Sequence, residues 1–297
     1  MISLSDIDQE RSVILTNVLS TVLRSAIVKN VFAQVIDGLP IRSMYEIIST
    51  CRSELLSRNE PSEQSRLLSG RFCDKPEDIF SSLSLNPTVA QLYQDSVLYS
   101  PHFNMHLLEL AATAIHDIAG NLYATFHPNG EPERSQPGLV SFRNSISLST
   151  RLYSFSSRYP RGAVDVVGYW AETHIFGGVV VFDRGQDSQA RHCYGAYIHP
   201  RPCGQLFQLS EAQLRGLSRL GSEENVDLGQ FPLPFAPEPD AKTVHHVTAF
   251  QDLNIYRDRY ERYIPVPRGG GPCVVRLEDH PELVEFHKQA RKMFEDP

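Results

Sequence analysis

The chain has 297 residues, enough for one large domain or two smaller ones, and 41% of them are hydrophobic, which excludes a disordered chain. A net charge of −7 and a pI near 5.9 give no global attraction to nucleic acid, so any RNA contact has to come from a local basic patch. No apolar run approaches the roughly 18–20 residues that span a bilayer, and the opening MISLSDIDQERS carries acids where a secretory signal has basic and then apolar residues; a cytoplasmic location without membrane contact is expected.

From Ser5 to Asp37 apolar residues recur at Ile7, Ile14, Val18 and Val22 and at Leu15, Leu19, Leu23 and Ile27, which is helical spacing, and Gly38 and Pro40 end it. A second helix is expected over Arg42–Arg58, up to the break at Asn59–Pro61. Pro87 suits the first turn of a helix through Leu92 and Val97, and Pro101 opens another that runs to about Tyr123. Residues 1–126 therefore read as a helical region. HPNGEPERSQPG, His127 to Gly138, is rich in turn formers and marks a surface loop or boundary.

Beyond it the pattern changes. Ala163–Phe176, Gly178–Asp183 and Cys193–His199 are aromatic and β-branched with turn residues between them, and predict a three-stranded antiparallel meander. Ser210-x-x-Gln213 is a capping box for a helix to about Leu220. PLPFAPEPD, Pro232–Asp240, is a connector no central strand tolerates. A strand at Cys273–Leu277 and a helix from Pro281 to Met293 follow. Residues 140–297 thus read as an antiparallel sheet plus helices, compatible with one continuous domain. The fold class is α+β, a helical N-terminal half packed on a C-terminal antiparallel sheet with flanking helices.

YWAETHIFGGVVVFDRG, Tyr169–Gly185, places charged groups in the most strand-like part of the chain. With Gly177–Gly178 as a hairpin turn, Phe176 faces Val179, His174 faces Val181 and Glu172 faces Asp183. Alternation puts Trp170, Glu172, His174 and Asp183 on one face and Tyr169 on the other. Like charges opposite each other destabilise a hairpin. Such a pair persists around a cation, with one carboxylate protonated, or in water. The first two options describe a site for a guanidinium, an amine or a metal, or a tuned acid–base pair. The competing readings are an edge on which Glu172 pairs with a lysine or arginine from elsewhere, and a one-residue register shift that separates the acids.

Other groups are weaker signals. The five cysteines are widely spaced without C-x-x-C, which suits free, buried thiols rather than a disulfide framework or structural zinc. His102, His106 and Glu109 form a helical stripe, but Phe103 stands where the metalloprotease pattern needs Glu, so no metal is expected. Cys193 and His199 share a strand face too far apart for a dyad; Tyr194 or Tyr197 could donate a proton towards Glu172. RGGGP, Arg268–Pro272, leads into a strand-like segment and not into a helix N-terminus, so it reads as a loop. YRDRYERY, Tyr256–Tyr263, interleaves arginines with tyrosines, which suits stacking on bases, and with acids, which suits a salt-bridged surface. The basic clusters are small: Arg158–Arg161, Arg257–Arg262 and Arg268. No dinucleotide fingerprint, P-loop or G-x-S-x-G elbow occurs, and no cofactor is expected.

GYWAETHIFGGVVVFDRG, AYIHP, and NIYRDRYERYIPVP with CVVRLEDHPEL behind it together resemble the fungal arginine-containing cyclodipeptide synthases, proteins of specialised metabolism. The resemblance covers roughly Val164 to the C-terminus and is weaker over the helical half. It implies an enzyme that takes aminoacyl groups from charged tRNA and joins arginine to a second amino acid. No catalytic residue of that family is carried over. On the residues themselves, Glu172 and His174 are the acid–base candidates and Asp183, with Tyr169, Trp170 and Tyr197, would line the pocket for a small-molecule substrate. Arg257, Arg259, Arg262 and Arg268 are the candidate tRNA contacts. The alternatives are a cofactor-free cyclase or isomerase using the same pocket, and a non-catalytic partner of a biosynthetic enzyme.

Overall fold

Helix α1 (Gln9–Arg24) starts on the Asp8 side chain and buries Ile14, Leu15, Val18, Leu19, Val22 and Leu23 along one stripe. The apolar pattern continues beyond it, but the helix does not. Ser25 closes α1 in an extended conformation, and its hydroxyl accepts from Val28 N–H to open α2 (Ala26–Ile36), which leaves at 69° to α1. The structure, a computed structural model, describes residues 2–38, 60–81, 83–128, 153, 159–185, 193–200, 204–221 and 231–258, and the backbone of two short strands at 263–264 and 273–274. The helix expected over Arg42–Arg58, most of the His127–Gly138 loop and the helix from Pro281 to Met293 lie outside them.

Helices α3 (Glu63–Asp74) and α4 (Pro76–Phe80) pack beside α1 and α2. Asn86 and Ser100 cap the next two, α5 (Pro87–Asp95) and α6 (Pro101–Phe126), each with proline at its first turn as the sequence predicts. Helix α6 is the hub. It is buried on nearly every side and touches α1, α2, α5 and α7 (Ala163–Ile175). A chain of buried apolar residues runs without interruption from Leu4 in the helical half to Ile255 in the sheet.

The sheet has the order β4-β3-β2-β1-β5, antiparallel throughout, built from β1 (Gly178–Asp183), β2 (Gly195–Pro200), β3 (Gln205–Gln208), β4 (Thr243–His245) and β5 (Ile255–Tyr256). Val181 lies opposite Tyr197 and Asp183 opposite Gly195. Helix α8 (Glu211–Arg219) begins on the expected Ser210–Gln213 capping box, and α9 (His246–Gln251) follows β4 directly. Strands β6 (Tyr263–Ile264) and β7 (Cys273–Val274) pair separately, so the expected strand after Cys273 is present over its first two residues. The architecture is α+β, with N-terminal helices and a C-terminal antiparallel sheet.

One expected element is overturned. Ala163–Phe176 is not a strand; residues Ala163–Ile175 form α7. The third strand of the meander is Gln205–Gln208 instead. The reason is burial: α7 sits between α6 and the sheet, so both its faces are buried, no exposed polar stripe remains, and its β-branched and aromatic residues carry no visible 3.6-residue period. Gly177 is then the helix-to-strand corner rather than half of a hairpin turn. Its φ of +87° and the Phe235 carbonyl, 2.5 Å from where a Cβ would stand, both require glycine.

No single helix among the described residues is long and apolar enough to cross a membrane.

Candidate functional site: an ionic chain from the core to a cavity

Helical geometry places Asp165, Gly168, Tyr169 and Glu172 of α7 on the face that meets α6. His116 of α6 sits directly against Gly168, where an added Cβ would come within 2.6 Å of the imidazole ring. A second close approach, Gly120 against Val164, keeps the two helices near enough for their polar groups to meet. His116 Nδ1 lies 2.7 Å from Glu172 Oε1, and Nε2 lies 3.5 Å from Asp165 Oδ1.

The chain extends in both directions. Inwards, Arg257, just past β5, donates to Glu172 Oε2 at 2.6 Å and places its guanidinium over the Tyr169 ring, 5.2 Å from the centroid. Outwards, Asp165 accepts from Arg161 Nε at 2.6 Å and from Arg161 backbone N–H at 2.9 Å. Arg161 in turn donates to Asp117 Oδ1 at 2.6 Å and to Asn121 Oδ1 at 3.4 Å. The sequence of charges is Arg257⁺, Glu172⁻, His116⁺, Asp165⁻, Arg161⁺, Asp117⁻, alternating and balanced.

Alternation is what makes burial tolerable. Burial opposes charge on His116, but its hydrogen bonds to Asp165 and Glu172 outweigh that and raise its pKa above the ordinary value. Burial would likewise raise Glu172, yet the Arg257 charge and the His116 hydrogen bond bring it below the usual carboxylate range. Asp165, against the same desolvation, is held at about 2 by His116 and by the Arg161 backbone and charge. Both ring nitrogens of the histidine face carboxylates, which favours its protonated form, and Glu172 is wholly inaccessible. Neither can meet a substrate. They position the groups at the outer end.

A second buried ion pair braces the same elements. Glu109, two turns before His116 on α6, receives a forked pair of hydrogen bonds from Arg184 at 2.6 and 3.2 Å. Arg184 also donates to the Tyr256 carbonyl at 3.3 Å, which fixes the backbone that delivers Arg257.

The proposed pairing of Glu172 with Asp183 does not form. Asp183 ends β1 opposite Gly195, and its Oδ1 accepts from Gly185 N–H at 2.9 Å, closing a turn. The reading in which Glu172 pairs with an arginine from elsewhere holds for the pairing, but in the core and not on an exposed edge. His174 faces away along α7: its Nδ1 donates to the Trp170 carbonyl at 2.8 Å and its ring lies against Trp170, tilted by 35° with centroids 4.2 Å apart. Tyr169 is the one expected pocket residue that touches both Arg257 and His116. Tyr197 is buried on β2, and burial with the Asp183 charge pushes its pKa up to about 12, so it is a poor proton donor. Arg257 pairs with Glu172 in the core; Arg259, Arg262 and Arg268 lie outside the described residues.

Of the histidine stripe, His106 and Glu109 are buried while His102 is exposed, and no group of three metal-ligating side chains occurs among the described residues. Cys193 is buried against Met105, and burial followed by the Glu109 charge pushes its thiol pKa up, which makes it inert as a nucleophile.

His116, Asp117 and Asp165 were not singled out from sequence, and Arg161 entered only as part of a small basic cluster. The available signal was the spacing Asp165–Tyr169–Glu172, which is helical and reads as one face only if the segment is taken as a helix. The outer end of the chain opens on a cavity of about 600 Å³ between α3, α4 and α6, with Asp117, Asn121 and Arg161 in its wall. Comparison of the chain with protein-family models, curated proteins and solved structures finds no match.

Proposed function

We propose that the protein is a cofactor-independent enzyme of specialised metabolism, a cyclase or isomerase that works by acid–base chemistry on a small organic substrate in this cavity. The observation that carries the reading is the wall formed by Arg161 and Asp117. A guanidinium has five N–H donors; among the described residues Arg161 uses three, on Asp165, Asp117 and Asn121, which leaves two for a ligand oxygen. Asp117 engages Arg161 through Oδ1, and Oδ2 has no protein partner among the described residues. A fixed electrophile beside a carboxylate is the minimum equipment for proton transfer next to a carbonyl.

In that step the substrate carbonyl oxygen accepts from Arg161. Asp117 takes a proton from the neighbouring carbon, and Arg161 stabilises the resulting enolate. The proton returns at a different carbon, so no co-reactant is consumed. Asp165, His116 and Glu172 hold Arg161 in place. The reading implies a small-molecule substrate and a cytoplasmic enzyme.

The narrower reading, a tRNA-dependent synthase joining arginine to a second amino acid, keeps the support of the resemblance. It loses the Glu172–Asp183 pocket that gave it a mechanism. Metabolite profiling of a host producing the chain alone tests both. A new metabolite that disappears with Asp117→Asn, in a variant of unchanged secondary structure and melting temperature, supports the enzyme. An arginine-containing cyclic dipeptide as that product supports the narrower form. No new metabolite, or one indifferent to Asp117→Asn, overturns the assignment of the wall.

A further inference from the structure

We infer that the cavity binds an amphipathic organic anion: an apolar body laid on its floor, and a carboxylate or phosphate monoester head held by Arg71 and Lys75. This rests on the cavity proposed above as the substrate site and names the class of molecule it takes.

The floor is apolar. Phe72, Ile79, Leu83, Ile118, Leu122 and Phe126 line it, and Phe126 remains 41% exposed at the end of α6. A volume of about 600 Å³ falls within the range of roughly 300–1,000 Å³ that small-molecule sites occupy. An apolar concavity of this kind is costly to leave facing water, and a ligand's buried methylenes would recover part of that cost.

The rim is cationic. Arg71 and Lys75 stand one helical turn apart at the end of α3, both exposed and both lining the cavity. Two other charges on this helix are paired: Asp74 with Lys29 at 2.7 Å and Arg66 with Glu60 at 3.2 Å. Neither Arg71 nor Lys75 has an ion-pair partner among the described residues. Among the described residues, the remaining charges facing the space are Arg161, Asp117 and Asp78, and the first two neutralise each other. Among the described lining residues, two cations against Asp78 leave one net positive charge beside an apolar floor. A neutral ligand would leave that charge unused, and a cationic one would be repelled.

The geometry also orders the ligand. With its head at Arg71 and Lys75, its body crosses the floor towards Ile118 and Leu122 and brings a mid-chain or ring carbonyl to Arg161 and Asp117 on the α6 side.

Isothermal titration of the full chain with four ligands sharing one tail, all below their micelle concentrations, tests this: decanoate, decyl phosphate, decanol and decylamine. Decanoate or decyl phosphate is expected to bind about tenfold more tightly than decanol, with decylamine weakest, and the stronger of the two anions identifies the head. Arg71→Gln and Lys75→Gln are each expected to weaken anion binding about tenfold and to leave decanol unchanged. Phe126→Ala is expected to weaken every ligand together. Equal binding of decanol and the anions, or anion binding indifferent to both cation variants, overturns the inference. Its failure separates from that of the enzyme reading through Asp117→Asn. Cation-dependent anion binding with no Asp117-dependent metabolite leaves the ligand class standing without the catalysis. An Asp117-dependent metabolite without cation-dependent binding leaves the catalysis standing without the ligand class.

Discussion

His116 Nδ1 lies 2.7 Å from Glu172 Oε1, across a helix interface from which water is almost wholly excluded. The two residues are 56 positions apart in the chain. Their contact joins the central helix of the N-terminal half to the helix that leads into the sheet, and Arg257 ties the segment after the last strand of that sheet to the same carboxylate.

Glu172→Gln removes the negative charge between Arg257 and His116, which lie 3.4 Å apart, and leaves Asp165 as the remaining carboxylate against His116. Breaking a buried pair from one side costs about 3–5 kcal/mol. Urea denaturation is expected to show a loss in that range, and the His116 pKa, followed by NMR, is expected to fall. A loss under 1 kcal/mol would contradict the charged network.

The pH profile follows from the signs of the shifts. His116 has a raised folded pKa, so its contribution is complete below its ordinary value of 6.5 and disappears as pH rises through the folded value. Glu172 and Asp165 have lowered pKa values. Their contributions are complete above the ordinary 4.5 and 3.8 and vanish as pH falls, for Asp165 through about 2. Stability from this network is therefore greatest between pH 4.5 and 6.5 and declines on both sides. Urea melts across pH 3–9 check this; stability that rises steadily above pH 6.5 would assign His116 a neutral ring.

Glycine substitutions separate close approach from propensity. Gly168→Ala forces a Cβ into the His116 ring and is expected to cost about 1–3 kcal/mol. Gly70→Ala, on α3 with nothing within 4 Å of the new atom, is expected to gain about 0.5–1 kcal/mol. Thermal unfolding of the two variants reads opposite shifts.

Arg184→Met strands Glu109 in the core and is expected to cost about 3–5 kcal/mol. Combining it with Glu109→Leu removes both charges and is expected to recover most of that loss. A double-mutant cycle by urea denaturation measures the coupling; additive costs would mean that the pair contributes nothing beyond its separate side chains.

Much of the architecture was legible in the sequence. Stripes such as Ile14, Val18 and Val22, prolines at the first turns of α5 and α6, and the Ser210–Gln213 box are local signals, and each marks the element it predicts. The break at Ser25 was hidden because the apolar period runs through it. Helix α7 is hidden because burial on all sides leaves it no solvent-facing polar stripe, and taken as a strand it turns Gly177 into a hairpin and sets Glu172 opposite Asp183.

By itself the sequence determined the helical first half, the antiparallel strands and the α+β class, because hydrophobic period, capping and turn chemistry act between residues a few positions apart. Tertiary structure alone decided which charges meet. Arg257 reaches Glu172 across 85 residues, and His116 reaches it only because Gly168 and Gly120 let two helices approach closely. A buried charge is stable only beside its opposite, and the packing distance of those helices chooses the partner.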